Sequence, residues 1–282
     1  MSTHSIGTLY IVATPIGNRE DISFRALSTL QTVDLILAED TRHSRPLLTA
    51  LGIKKPMLSL HAHNEASQSG AIIARLEAGI TCALISDAGT PLISDPGYPL
   101  VHQAQAKGIP VIPIPGACAL ITALSAAGVA CESFSFYGFL PAKRSARVDT
   151  LQSLQSIEHT LVFYESTHRL LECLDDLAQV FGDTLKIVLA KELTKTFERF
   201  MSGSIGSIKT WLLADPRHTK GEFVLILPPR AAKPSLSSED RLLSVLLAEL
   251  PLKQAVKIAS QLSDHPKNEL YALALTLQKE FK

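Results

Sequence analysis

The feature that most constrains this chain is a regular alternation of short apolar runs with segments of helical period. Runs rich in β-branched and aliphatic side chains come first, at residues 8–14, 34–38 and 81–86. Segments with apolar side chains at steps of three and four lie between or beside them, at residues 23–32, 44–51 and 67–78. Strands that are apolar along their whole length are typical of parallel sheets covered on both faces. The pattern therefore predicts strand–helix–strand units.

The alternation continues through a helix at 98–106 and a strand at 111–114, pauses at a small-residue helix, 117–127, and then begins again. The later strands are predicted at 134–137, 160–164, 185–190, 197–202 and 222–227. The helices among them are predicted at 148–156, 168–181 and 205–213. Two α/β domains in tandem, 1–116 and 117–230, are the simplest explanation.

The chain changes character after residue 227. Residues 228–238 are rich in proline, alanine and serine and are typical of a linker. Amphipathic segments follow at 239–249, 253–262 and 267–278, with no strand pattern among them. The sequence therefore predicts a small helical domain over residues 235–282.

Composition excludes several classes of protein. Hydrophobic residues make up 46% and charged residues 19%, with no net charge, as in ordinary globular proteins. Any nucleic-acid contact would therefore depend on local basic clusters. The four cysteines form no C-x-x-C pair, which favours a reducing compartment. No signal peptide or membrane-spanning run is evident, so we expect a soluble, cytoplasmic protein.

Glycine- and proline-rich turns follow several predicted strands, at the edge where open α/β sheets bind ligands. They lie at residues 15–18 (PIGN), 39–42 (EDTR), 87–91 (DAGTP) and 115–117 (PGA). Common phosphate-binding and hydrolase motifs are absent from the sequence. The turns predict a ligand site, although tight turns without any ligand would give the same pattern.

Seven ordered motifs together resemble the tetrapyrrole-methylase superfamily: VATPIGN, ISDAGTPLISDPG, PIPGACALITALSAAG, FYGFLPAKRSAR, VFYESTHRL, LAKELTKTFERF and KGEFVLIL. Within the superfamily they resemble the branch that methylates a cytidine ribose of small-subunit ribosomal RNA. Tetrapyrrole enzymes usually carry GxGPG and GGDP turns, which this chain replaces with ATPIG and AGTP. That departure disfavours a porphyrinoid substrate.

The resemblance implies an S-adenosylmethionine-dependent enzyme that methylates the 2′-hydroxyl of a cytidine in 16S ribosomal RNA. Its partner would be that RNA or the assembled small subunit, and the chain would form a homodimer. Two alternatives stay open. One is methylation of a tetrapyrrole or another small molecule, and the other is a non-catalytic RNA-binding assembly factor.

The resemblance also implies that the cofactor lies in the cleft between the two α/β domains. Carried over position by position, it assigns cofactor contacts to Ile16, Asp87, Ala88, Gly89, Thr90, Ile93, Cys118, Ala119, Glu165, Leu193 and Glu222. We expect Cys118 to be a small wall residue, because methyl transfer needs no covalent intermediate on the enzyme.

A base should help to remove the hydroxyl proton. The candidates are charged residues at strand ends: Glu39, Asp40, Asp87, Lys191, Glu192 and Lys220. Among them Glu192 and Lys220 are favoured as catalytic, although a solvated or salt-bridged role is the alternative for each. His61 and His63 have no third ligand at suitable spacing, so we expect no metal.

The densest basic cluster is Lys143, Arg144 and Arg147, which predicts a flexible loop that grips phosphate or, alternatively, a solvated helix start. Arg42, Arg169 and Lys195 would extend this RNA path. The predicted C-terminal helices resemble a helix-turn-helix, with a plain packing module as the alternative. Their RNA-binding candidates are Lys253, Lys257 and Lys267.

Overall fold

The computed structural model describes residues 6–230, 238–263 and 265–280. The chain divides into two compact units. The larger comprises Met1–Ser153 and His159–Arg230, and the smaller comprises Leu154–Glu158 and Ala231–Lys282. No helix among the described residues is long and apolar enough to cross a membrane.

The first sheet of the larger unit is wholly parallel. Its strands are β1 (Leu9–Val12), β2 (Leu35–Ala38), β3 (Met57–Ser59), β4 (Cys82–Ile85) and β5 (Val111–Ile114). They lie in the order β3-β2-β4-β1-β5. Strand β3 was not predicted, because three half-buried residues give no periodic signal. The carboxyl ends of these parallel strands all lie at one edge of the sheet. The glycine- and proline-rich turns at 15–18, 39–42, 87–91 and 115–117 follow the strands at that edge.

Helices cover this sheet: α1 (Phe24–Thr32), α2 (Thr41–Ala50), α3 (Glu65–Glu77) and α4 (Tyr98–Ala106). Polar side-chain caps set where α1 and α2 begin. Ser23 accepts a hydrogen bond from the Ala26 amide before α1, and Asp40 accepts one from the Arg42 amide before α2. Helix α2 therefore begins three residues before the predicted start at Ser44.

The second sheet is mixed. Its strands are β6 (Phe134–Phe139), β7 (Thr160–Ser166), β8 (Lys186–Lys191), β9 (Arg199–Ser204) and β10 (Glu222–Leu227). The order is β6-β7-β10-β8-β9, with β6 and β7 parallel and the other pairs antiparallel. Its helices are α5 (Ala119–Ala126), α6 (Arg144–Ser153), α7 (Leu170–Phe181) and α8 (Ile205–Ala214). The two sheets and their helices confirm the predicted α/β class.

The described residues of the smaller unit form three helices: α9 (Ser238–Glu249), α10 (Leu252–Leu262) and α11 (Lys267–Glu280). Its core is made by Leu243, Val256, Ala259, Leu270, Ala274 and Leu277. This confirms the predicted helical C-terminal part. Most of the predicted linker, at 231–237, lies outside the described residues.

The structure corrects one sequence interpretation, the flexible basic loop. Helix α6 begins at Arg144, and the Arg147 side chain is fully buried. Its Nε donates to Asp176 Oδ2 at 2.7 Å, and Asp176 on α7 is 1% exposed. A buried guanidinium with this partner is unavailable to phosphate, so Arg147 leaves the RNA-binding set. Arg144 pairs with the same carboxylate but remains 70% exposed.

We expect Arg147→Ala to lower the free energy of unfolding by about 3 kcal/mol, because it leaves the Asp176 carboxylate buried without its main partner. Arg144→Ala is the matched control, since it removes an exposed partner of the same carboxylate, and its loss should be clearly smaller. Urea unfolding of both variants measures the difference. Equal losses would contradict the structural role assigned to Arg147.

Candidate active site

A cavity of about 530 Å³, here called the main cavity, opens where the carboxyl ends of the first sheet meet residues of the second. It brings together all the residues that the resemblance assigned to the cofactor. They are Ile16, Asp87, Ala88, Gly89, Thr90, Ile93, Cys118, Ala119, Glu165, Leu193 and Glu222. Segments distant in sequence therefore converge on one space, although the role of each residue remains a prediction.

The floor of the main cavity depends on a link between the turns after β1 and β4. The Thr14 amide donates to the Gly89 carbonyl at 2.8 Å, and the Gly89 amide donates back at 3.1 Å. Gly89 has a φ of +86°, and a Cβ there would lie 3.3 Å from the Ile16 side chain. Both facts favour glycine at this position.

The β4–α4 loop has an unusual backbone. Leu92 and Ser94 adopt left-handed φ values of 72° and 68°, which non-glycine residues rarely do. The loop is fastened at its end, where the Gly97 amide donates to Glu65 Oε2 at 2.7 Å. This conformation places Ile93 and Asp95 on the main cavity.

The second sheet supplies an aromatic and largely apolar wall. Tyr164 Oη accepts a hydrogen bond from the Leu120 amide at 2.9 Å, and the Phe139 ring lies edge-on to Tyr164. Glu165 stands beside them with a buried side chain. Its Oε1 accepts from the Ser166 amide, whereas its Oε2 accepts no hydrogen bond from the described residues.

Three of the carboxylates that line the main cavity, those of Glu39, Asp87 and Asp95, lie close enough to affect one another. Burial raises the pKa of Asp95 to about 6, and the neighbouring charges of Glu39 and Asp87 add to that effect against a hydrogen bond with Ser86. Burial and the charge of Asp87 also raise the pKa of Glu39. Asp95 was not among the residues predicted from the sequence, although it stands in the motif ISDAGTPLISDPG, in the second turn of that loop.

The favoured catalytic residues, Glu192 and Lys220, lie elsewhere. Both line a second cavity of about 520 Å³, here called the tryptophan cavity because Trp211 forms part of its wall. Lys195 Nζ bridges Glu192 Oε1 and Glu222 Oε2 at 2.9 Å each. Burial opposes the charged form of Glu192, but hydrogen bonds from Lys195 and the Glu222 amide outweigh it and lower its pKa. Neither residue is placed as a base in the main cavity.

Many of the predicted RNA-binding residues already have partners. Arg42 pairs with Asp40 but is 90% exposed, and Arg169 donates to the Leu140 and Pro141 carbonyls. Exposed lysines remain at Lys143 and, in the smaller unit, at Lys253, Lys257 and Lys267. Within the described ranges, no group of three or more His, Cys, Asp or Glu side chains could hold a metal ion.

Solved structures share this fold at low sequence identity. A diphthine synthase structure superimposes with a TM-score of 0.64 at 14% identity, covering 95% of this chain and all (100%) of that one. A uroporphyrin-III C-methyl transferase from Thermus thermophilus, complexed with S-adenyl homocysteine, has a TM-score of 0.56 at 17% identity. The superposition covers 79% of this chain and 97% of that structure's chain.

Sequence relatives are much nearer. Proteins named "Ribosomal RNA small subunit methyltransferase I" from Haemophilus influenzae and Pseudomonas aeruginosa are each 51% identical to this chain. The alignments cover 97% of this chain in both cases, and 98% and 99% of those proteins. The relative from Escherichia coli O157:H7 is 49% identical over 98% of this chain and 97% of its own length.

Family profiles match in the same order along the chain. The profile described as Tetrapyrrole (Corrin/Porphyrin) Methylases matches residues 8–209, and the one described as RsmI C-terminal HTH domain matches residues 235–278. The first covers the first sheet and the second sheet except for β10, ending inside α8, and the second covers most of α9 to α11. The chain therefore belongs to the tetrapyrrole methylase family and, within it, to the ribosomal RNA small subunit methyltransferase I family.

Proposed function

We propose that this protein is a cytoplasmic enzyme that transfers a methyl group from S-adenosylmethionine to the 2′-hydroxyl of a cytidine in small-subunit (16S) ribosomal RNA. The observation that carries the proposal is the convergence of every assigned cofactor residue on the main cavity. Relatives that match nearly the whole chain, including its C-terminal helices, bear the name of a small-subunit RNA methyltransferase. Together these favour RNA over a small-molecule substrate.

The main cavity suits S-adenosylmethionine chemically. A volume of about 530 Å³ is in the range of small-ligand sites, and its walls combine apolar side chains with backbone groups of the turns. Glu165 Oε2, buried without a hydrogen-bond donor, can accept one from a hydroxyl or amino group. The Ala88–Gly89–Thr90 turn and the Cys118–Ala119 segment would hold the rest. When bound, the cofactor supplies a sulfonium-activated methyl group.

The chain's own contribution is to orient the ribose and to accept its proton. Methyl transfer is a direct displacement, in which the hydroxyl oxygen bonds to the methyl carbon as the sulfur–carbon bond breaks, so alignment matters most. We assign the proton to Asp95. It is partly buried in the main cavity, and its pKa of about 6 leaves it ionised at neutral pH yet more basic than an ordinary aspartate.

Recognition of RNA is assigned to cations outside the main cavity. Lys143 and Arg42 are exposed on the larger unit, and Lys253, Lys257 and Lys267 are exposed on the helical unit. Arg144, Arg169 and Lys195 could add contacts only by exchanging their present partners. The family resemblance also leads us to propose a homodimer, which light scattering would report as twice the chain mass of 30.5 kDa.

The defining experiment follows radiolabelled methyl from S-adenosylmethionine into small ribosomal subunits, naked 16S RNA and a porphyrinoid. We expect label in ribose of the subunit or its RNA, and none in the porphyrinoid. Calorimetry should detect cofactor binding with and without a chelator. Label in the porphyrinoid, or cofactor binding without any RNA methylation, would instead support one of the two alternative functions.

Asp95→Asn should reduce kcat by about a hundredfold or more, because a lost general base typically costs that much, while cofactor affinity changes little. In the wild type, the rate should fall as pH drops through about 6, where Asp95 takes up its proton. Asp149→Asn is the control, an exposed carboxylate on α6 outside both cavities. An unchanged pH profile in Asp95→Asn would exclude Asp95 as the base.

Replacing Lys253, Lys257 and Lys267 together by alanine should weaken RNA binding and flatten its salt dependence. Binding releases counterions from the phosphates that the lysines contact, so fewer counterions are released when those contacts are lost. Filter binding of 16S RNA over a salt series measures the slope. Cofactor affinity, measured by calorimetry, should stay the same. Identical slopes for the variant and the wild type would remove the helical unit from the RNA path.

A further inference from the structure

The tryptophan cavity has no part in the reaction proposed above. It is built by the β8–β9 loop, the end of α8 and the α8–β10 loop. It adjoins the main cavity, because Gly221 lines both, and the next residue, Glu222, lines the main cavity. A molecule in the tryptophan cavity would therefore sit directly beside the reacting nucleotide.

The walls of this cavity are aromatic. The Trp211 and His218 rings stack with centroids 3.9 Å apart and planes 13° apart, and His218 Nδ1 hydrogen-bonds to the Trp211 carbonyl at 2.7 Å. The Arg199 guanidinium lies 5.3 Å from the Trp211 ring. Phe197, also in the lining, is 75% exposed, so a large flat ring is presented to solvent at the cavity.

Positive charge accompanies these rings. Arg217 pairs with Asp215, and Lys191 Nζ donates to the Arg217 carbonyl at 2.6 Å. Arg199 and Lys220 also line the cavity, and neither forms an ion pair with any residue that the structure describes. Aromatic faces beside available cations are the combination that binds single-stranded nucleic acid, with bases on the rings and phosphates on the cations.

Hydrogen bonds fix the position of the β8–β9 loop relative to the main cavity. Glu192 and Thr194 adopt left-handed φ values of 50° and 63°. Thr194 holds this shape from both sides, since its Oγ1 accepts from the Asn18 amide at 3.0 Å and its own amide donates to Glu198 Oε2 at 2.6 Å. Asn18 belongs to the turn after β1, which also carries Ile16. The β8–β9 loop, which includes Phe197, is therefore hydrogen-bonded to the turn after β1.

We propose that the tryptophan cavity binds a nucleotide next to the methylated one, with its base against Phe197 and its phosphate on Arg199 and Lys220. The inference rests on the proposed function, because it takes RNA as the substrate. Presenting a ribose hydroxyl in line with a methyl donor requires a splayed, unstacked strand. A neighbouring base then loses its stacking partner, and the exposed ring replaces it.

Trp211 gives a direct test, because it is the one tryptophan in the sequence and lines this cavity. Single-stranded hexacytidylate RNA is titrated into the full-length protein while tryptophan fluorescence is followed, and an abasic ribose-phosphate oligomer of equal length is titrated separately. We expect a saturable change with hexacytidylate and a weaker one with the abasic oligomer. S-adenosylmethionine alone should cause little change.

Phe197→Ala should raise the Kd for hexacytidylate about fivefold or more, the usual effect of removing one base-stacking ring. It should lower kcat/KM for small subunits similarly while leaving cofactor affinity unchanged. Phe197→Leu separates the flat ring from mere apolar bulk. Phe24→Ala is the matched control, because Phe24 is 95% exposed at the start of α1 and lies in neither cavity.

The outcomes are distinguishable. If the wild type methylates small subunits but Phe197→Ala behaves like Phe24→Ala, the cavity proposal is wrong and the proposed function stands. If hexacytidylate shifts the fluorescence and Phe197→Ala weakens that shift, but no methyl reaches RNA, the proposed function fails and the nucleotide site stands. Equal responses to the abasic and base-bearing oligomers would reduce the site to a phosphate contact and overturn the stacking role.

Discussion

The reciprocal backbone hydrogen bonds between Thr14 and Gly89 are the constraint on which the site depends. They form an isolated antiparallel bridge just beyond the ends of the parallel strands β1 and β4, and so join two turns that would otherwise be independent loops. The Thr14 hydroxyl adds a bond to the Ser86 carbonyl at 3.3 Å, and Thr14 is 1% exposed. Two motifs separated by about seventy residues thus become one rigid surface against which a ligand can be held.

Charge is distributed unequally between the two cavities, and this separates their roles. The Glu192 and Glu222 carboxylates share the ammonium of Lys195, and this network holds the shape of the β8–β9 loop. In the main cavity burial raises the pKa of Asp95, and the neighbouring charges of Glu39 and Asp87 add to that effect and keep Asp95 basic. Carboxylates of the same chemical type therefore serve as structural ties in one place and as a proton acceptor in the other.

The cofactor residues that line the main cavity came from the family resemblance of the motifs, and their roles stay predictions. The sequence pattern itself was sufficient for the α/β class and nearly all the elements, because apolar periodicity is a local signal. It could not reveal what depends on distant pairing. The antiparallel strands of the second sheet look locally like parallel ones. Arg147 looks solvent-exposed until Asp176, on the next helix, is placed against it. Asp95 gains importance only because the fold buries its carboxyl and brings near it Glu39, from the turn after β2, and Asp87, from its own loop.

The left-handed backbone at Leu92 and Ser94 has a consequence for engineering. A non-glycine residue with a left-handed backbone costs roughly 1 kcal/mol or more of conformational strain, and this strain lowers the free energy of unfolding of the protein. Glycine or asparagine at Ser94 would relieve the strain there and raise the melting temperature, whereas Leu92 packs against the core of the first sheet and its side chain must stay. The relaxed loop could also leave the conformation that presents Asp95. A substitution in this segment that raises thermal stability would therefore lower the rate of turnover.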